Sequence, residues 1–134
     1  MPLPSEIAGR PRSALASLAL AAALAACTGS STLEPPAGTP YVRGPVESIA
    51  SRAAAARLLV RAGPGSREPC GISASADAGT RYLRRTPAGE LEGAGLSDVQ
   101  VGDTVEVYVE GPVAESCPVQ ARASAVVLVS EAAP

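Results

Sequence analysis

Two valine-rich runs joined by a Pro-containing loop constrain this chain more than anything else in it. They lie between Val99 and Val129, in VQVGDTVEVYVEGPVAESCPVQARASAVVLV. Val101, Val105, Val107 and Val109 alternate with Thr104, Glu106 and Glu110, a period of two that predicts a strand with one buried and one wet face. The second run, Gln120 to Val129, begins with small and polar residues. It ends in Val126-Val127-Leu128-Val129, which predicts burial on both faces. Gly111-Pro112 breaks the first strand, and Cys117-Pro118 stands just before the second.

The chain has 134 residues, enough for one domain. It contains no His, Trp, Phe or Lys, so every positive side chain is Arg. A net charge of −2 lacks the basic footprint of a nucleic-acid binder. Without His, the commonest general base and the commonest metal ligand are both missing. No cofactor and no metal are expected. With so few aromatics the core side chains are small, and a light core in a small domain calls for a covalent staple. The three cysteines, Cys27, Cys70 and Cys117, are an odd number, so one of them needs another role.

The N-terminus supplies that role. Arg10 and Arg12 precede an apolar run, Ser13 to Ala26, that is too short for a comfortable transmembrane helix. The run ends in Leu24-Ala25-Ala26-Cys27, which resembles the lipobox of bacterial lipoproteins. That resemblance implies that residues 1–26 are a cleaved signal peptide and that the Cys27 thiol carries lipid. Several acyl chains on one residue anchor stably where a single chain would be marginal. Thr28 is not Asp, so an acidic inner-membrane retention signal is missing. Residues 27–40, rich in Ser, Thr, Gly and Pro, read as a flexible tether.

The domain is expected over residues 41–131. In Tyr41 to Ser51, Val42, Gly44 and Val46 share one face. Pro45 cannot donate to a ladder and belongs at an edge or bulge, and Gly44 permits a tight bend. Residues 51–63 are ambiguous between helix and strand; a turn over Arg52 to Ala56 followed by a strand from Arg57 to Ala62 is the preferred reading. Ile72, Ala74 and Ala76 alternate with Ser73, Ser75 and Asp77, Asp77-Ala78-Gly79 is a turn, and Thr80 to Arg85 is extended. Thr86 to Ser97 reads as a Gly-rich connection, and Gly102-Asp103 as a turn. Short strands punctuated by Gly predict an all-β chain folded as a small five-stranded barrel.

The segment from Leu96 to Ala121 resembles a domain-of-unknown-function family of small bacterial secreted proteins and lipoproteins. Gly111-Pro112-Val113, Glu115-Ser116, Pro118 and Gln120-Ala121 carry the likeness. The resemblance implies an OB-like architecture and no assigned activity. The residue between Ser116 and Pro118, usually aromatic in that family, is Cys117 here. This departure suggests that a disulfide replaces an aromatic packing residue. With Cys27 lipidated, Cys70 and Cys117 remain to pair in an oxidising envelope.

Two surface candidates follow. The loop with Gly111, Pro112, Glu115, Ser116 and Gln120 reads either as a binding loop or, more plainly, as a turn whose polar groups satisfy backbone. Arg81, Tyr82, Arg84 and Arg85 read either as a face for nucleic acid or anionic glycan or, more plainly, as a charge-protected edge strand. The pairs Glu90 with Glu92 and Glu106 with Glu110 read as solubilising charges, and Ser116 has no His to activate it.

The sequence thus points to a protein held to a bacterial membrane through lipid on Cys27, its domain on the extracytoplasmic side. Its expected role is a non-catalytic module for an envelope protein or glycan. Two other readings are a small carboxylate-based hydrolase or lyase, which calls for at least two acids with Tyr or Arg in a concave pocket, and a nucleic-acid binder, which calls for Arg81, Arg84, Arg85 and Arg122 on one face.

Overall fold

A computed structural model describes residues 33–130. The signal-peptide segment and Cys27 lie outside the described residues.

Seven strands form: β1 (Val42–Arg52), β2 (Ala55–Val60), β3 (Ile72–Ala76), β4 (Arg81–Arg85), β5 (Leu91–Gly93), β6 (Thr104–Val109) and β7 (Val119–Val129). A 3-10 turn, Leu96–Asp98, precedes β6. Antiparallel pairing runs from β3 through β2, β1 and β6 to β7, and β3 then meets β7 in parallel register, Ile72 opposite Val119 and Ala74 opposite Ala121. That last pairing closes a five-stranded barrel, consistent with the OB-like architecture expected. The closure leaves β3 and the start of β7 without a free edge.

The ambiguous segment resolves as strand. β1 runs on to Arg52, and a two-residue turn at Ala53-Ala54 leads straight into β2, with Arg52 opposite Ala55. The alanines count little because barrel pairing overrides helix propensity. Leu58 and Val60 enter the core with Val42, Val46, Ile72, Ala74, Val105, Val107 and Val126. Nearly every one is a branched aliphatic or alanine, so the interior is filled by many small side chains.

β1 bends where the sequence suggested. Gly44 approaches the β2 end so closely that a Cβ there would fall on the Arg61 carbonyl oxygen, and the ladder to β2 shifts register between Val46 and Ser48. Gly71, with φ +74°, sits under the Val60 carbonyl, and its own carbonyl accepts the Val119 N–H at 3.2 Å. The seam between β3 and β7 therefore begins at a position only glycine fills easily.

Past the seam, the second half of β7 keeps β6 on one edge and takes β4 on the other, Leu83 opposite Val127. The connection read as Gly-rich loop contains β5, which pairs with β4 through Arg84 and Glu92. Three residues of strand among glycines give too short a period-two signal to stand out.

The expected wet face of β6 is corrected by the structure. Glu106 and Tyr108 are buried, and Val101, grouped with the buried valines, is 63% exposed in the turn before the strand. The reason is a second apolar cluster on the outer side of the sheet. Leu83, Tyr108, Ala125 and Val127 pack there, with Leu33 and Leu91 against them. Glu106 lies beside this cluster and meets Arg85 at 3.0 Å. It is a buried ion-pair member, not a solubilising charge.

Candidate functional site

Cys70 and Cys117 form a disulfide, with Cα atoms 5.2 Å apart. It ties the segment entering β3 to the loop entering β7, at the same end as the barrel seam.

Beside it, the outer face of β1, β2 and β3 carries a shallow groove of about 370 Å³. Period-two alternation builds it. Leu58, Val60, Ile72 and Ala74 point into the core, so Arg57, Leu59 and Ser73 point out. Ser48 and Ala50 of β1 join them. Ser116, Cys117 and Pro118 form one wall, and Gln120 enters from the start of β7. A second depression containing Ala50, Arg57, Ser75 and Arg52 continues across the same face. Ser116 Oγ donates to the Pro118 carbonyl at 2.7 Å, and Ala114 pairs with Gln120 through two backbone bonds, which stiffens the wall. Among the described residues Arg57 meets no carboxylate; its Nη1 reaches only Ser73 Oγ, at 3.4 Å. By contrast Arg61 meets Glu47 at 2.7 Å.

The loop candidates are therefore divided. Ser116 and Gln120 face the groove, whereas Gly111, Pro112 and Glu115 are exposed on the loop outside its lining. Gly111 has φ +84°, a turn conformation that suits glycine.

The β4 candidates are divided too. Leu83 packs in the outer cluster and Tyr82 against the main core, so the residues alternate between two faces. Arg81 Nη2 donates to the Glu34 carbonyl at 2.7 Å, Arg84 lies 3.6 Å from Asp98, and Arg85 pairs with Glu106. Arg85 Nε is buried without a hydrogen-bond partner among the described residues. Arg84 and its neighbours do not form one basic face, and β4 lies between β7 and β5 instead of at an edge. Burial raises the Tyr82 phenol above its ordinary range, with the Asp77 charge adding to it. Tyr108 moves the same way, by burial and then by Glu106.

A separate polar pocket of about 570 Å³ holds Arg84, Asp98, Gln100, Asp103 and Ser130. Here two acids and an arginine do share a concave site. Both acids also serve local turns: Asp98 Oδ2 accepts the Gly95 N–H at 2.8 Å, and Asp103 Oδ2 accepts the Gln100 N–H at 2.9 Å.

Ser48, Arg57 and Ser73 were missed as site residues. Their signal was present as the polar positions of alternating strands, but only pairing of β1, β2 and β3 gathers them on one face. No helix among the described residues is long and apolar enough to cross a membrane. The chain matches no protein-family model, no curated protein and no solved structure.

Proposed function

We propose that this protein is a lipid-anchored module of the bacterial cell envelope, held by lipid on Cys27, that binds an envelope protein or glycan without catalysing a reaction. The observation that carries the binding role is Arg57, a cation with no carboxylate partner among the described residues, standing in a groove among Ser48, Ser73, Ser116 and Gln120. Hydroxyls, an amide and one guanidinium offer hydrogen bonds to a polar or anionic partner. By analogy with the fold, strands 2 and 3 and the loop between the last two barrel strands are where OB barrels hold ligands. Among the described residues no aromatic side chain lines the groove, so base stacking has no platform there. This supports protein or glycan over nucleic acid as the proposed partner. The anchor rests on the Leu24-Ala25-Ala26-Cys27 pattern.

The test is photocrosslinking in cells from a probe at Ser73. Capture of one dominant envelope component, lost on Arg57→Glu, supports the reading. Equal capture by Arg57→Glu, or none, contradicts it.

A second reading, a carboxylate-based hydrolase or lyase, draws on the pocket with Arg84, Asp98 and Asp103. Hydrolysis of cell-wall glycan by the purified domain, abolished by Asp103→Asn, would favour it over the binding module.

A further inference from the structure

The segment read as tether does not leave the barrel at Tyr41. Leu33 packs against the outer cluster of Leu83, Tyr108 and Val127. Arg81 Nη2 holds the Glu34 carbonyl at 2.7 Å. Pro36 and Ala37 line a crevice with Arg81, Val109 and Ala125. Residues from Leu33 to Ala37 therefore form a strap on the outer face of the β4–β7–β6 sheet. The groove with Arg57 is on the outer face of the β1–β2–β3 side of the barrel.

We propose that this strap orients the barrel on the membrane, turning the β4–β7–β6 face toward the lipid and the Arg57 groove away from it. The inference rests on the anchor at Cys27. Six residue steps separate Cys27 from Leu33, so the covalent reach is about 20 Å. Fourteen steps to Tyr41 would give about 50 Å. Laid straight, the eleven-residue strand β1 would span about 36 Å. A reach shorter than the barrel restricts which face meets the bilayer; one longer than the barrel restricts nothing. The hydrophobic effect favours the strap as well, because docking Leu33 hides apolar surface that the outer cluster would otherwise present to water. The partner of the strapped side is thus the lipid surface, and the partner of the groove is a component standing off it.

The experiment uses full-length, lipidated protein in phosphatidylcholine vesicles with a headgroup-linked quencher. A fluorescent amino acid is placed at Glu92, on β5 beside the strapped face, or at Ala55, on the β2 side. Severalfold stronger quenching at Glu92 than at Ala55 is expected. The difference should collapse in Leu33→Asp, and in Arg81→Ala should the first variant fail to fold. Equal quenching at the two positions in the unaltered protein, or a difference that survives in a folded strap variant, overturns the orientation. Failure of the protein to sediment with vesicles, or sedimentation of Cys27→Ser to the same extent, overturns the anchor and the orientation with it. Anchored protein with equal quenching overturns the orientation alone.

Discussion

Arg122 grips Asp77 with two parallel hydrogen bonds, Nε to Oδ2 at 2.7 Å and Nη2 to Oδ1 at 2.8 Å, across 45 residues of sequence. The pair stands where one edge of β7 changes partner, from β3 to β4. Around it the Gly79 N–H also binds Asp77, and Thr80 Oγ reaches the buried Ala123 carbonyl at 2.8 Å. The chain steps from one strand to the next without leaving β7.

The Arg122 guanidinium, then the Gly79 N–H, hold the Asp77 carboxyl at about 2, below its ordinary 3.8. A lowered folded-state pKa contributes stability that is complete above the unfolded value and is lost as pH falls through the folded one. The melting temperature of a domain spanning residues 33–130 should therefore drop between about pH 4 and pH 2. In Asp77→Asn that decline should be shallower, with the two proteins converging at the acid end. Both side chains are exposed, so added salt should narrow their difference at neutral pH. Melting curves across this range in low and high salt decide it.

The disulfide between Cys70 and Cys117 closes 47 residues of chain. In the chain-entropy account a loop of this size contributes about 4 kcal/mol. Reduction, or paired Cys→Ser substitution, should lower the unfolding free energy by an amount comparable to that figure, read as a fall in the urea midpoint. An unchanged midpoint after complete reduction would contradict the staple.

Gly44→Ala tests the barrel bend. Its Cβ would strike the Arg61 carbonyl, a backbone atom that cannot rotate away. Overpacking ordinarily costs about 1–3 kcal/mol, and a clash with fixed backbone belongs at the upper end or beyond. Denaturant unfolding should show this loss, whereas Gly89→Ala, with open space around it but φ +87°, should show only a backbone conformational cost.

Ala53, in the turn between β1 and β2, holds φ +53° without being glycine. Ala53→Gly removes the Cβ that disfavours this conformation, against a modest loss from the freer unfolded chain. A net gain of about 0.5–1 kcal/mol in unfolding free energy is expected. A loss would mean that Ala53 pays no conformational penalty where it stands.

These residues also show how much of the fold was legible beforehand. Val42, Gly44 and Val46, and Ile72, Ala74 and Ala76, disclose their inward faces because each strand is wet on its other side at the barrel wall. The rule fails at Tyr108, whose cluster is covered by Leu33 and Leu91, and at Glu106, which is buried and paired with Arg85, all residues distant in sequence. No local period reports a cover that arrives from elsewhere. The site obeyed the same limit. Ser116 and Gln120 could be named from one loop, but Arg57 and Ser73 join them only when three strands are laid side by side.

The anchor is decided at the N-terminus of the mature protein, and intact-mass spectrometry of material extracted from cell membranes measures it. The expected result is a chain that begins at Cys27 and carries the added mass of a diacylglyceryl group and further acylation. A chain beginning elsewhere with no lipid mass, or one that retains residues 1–26, would contradict the anchored module.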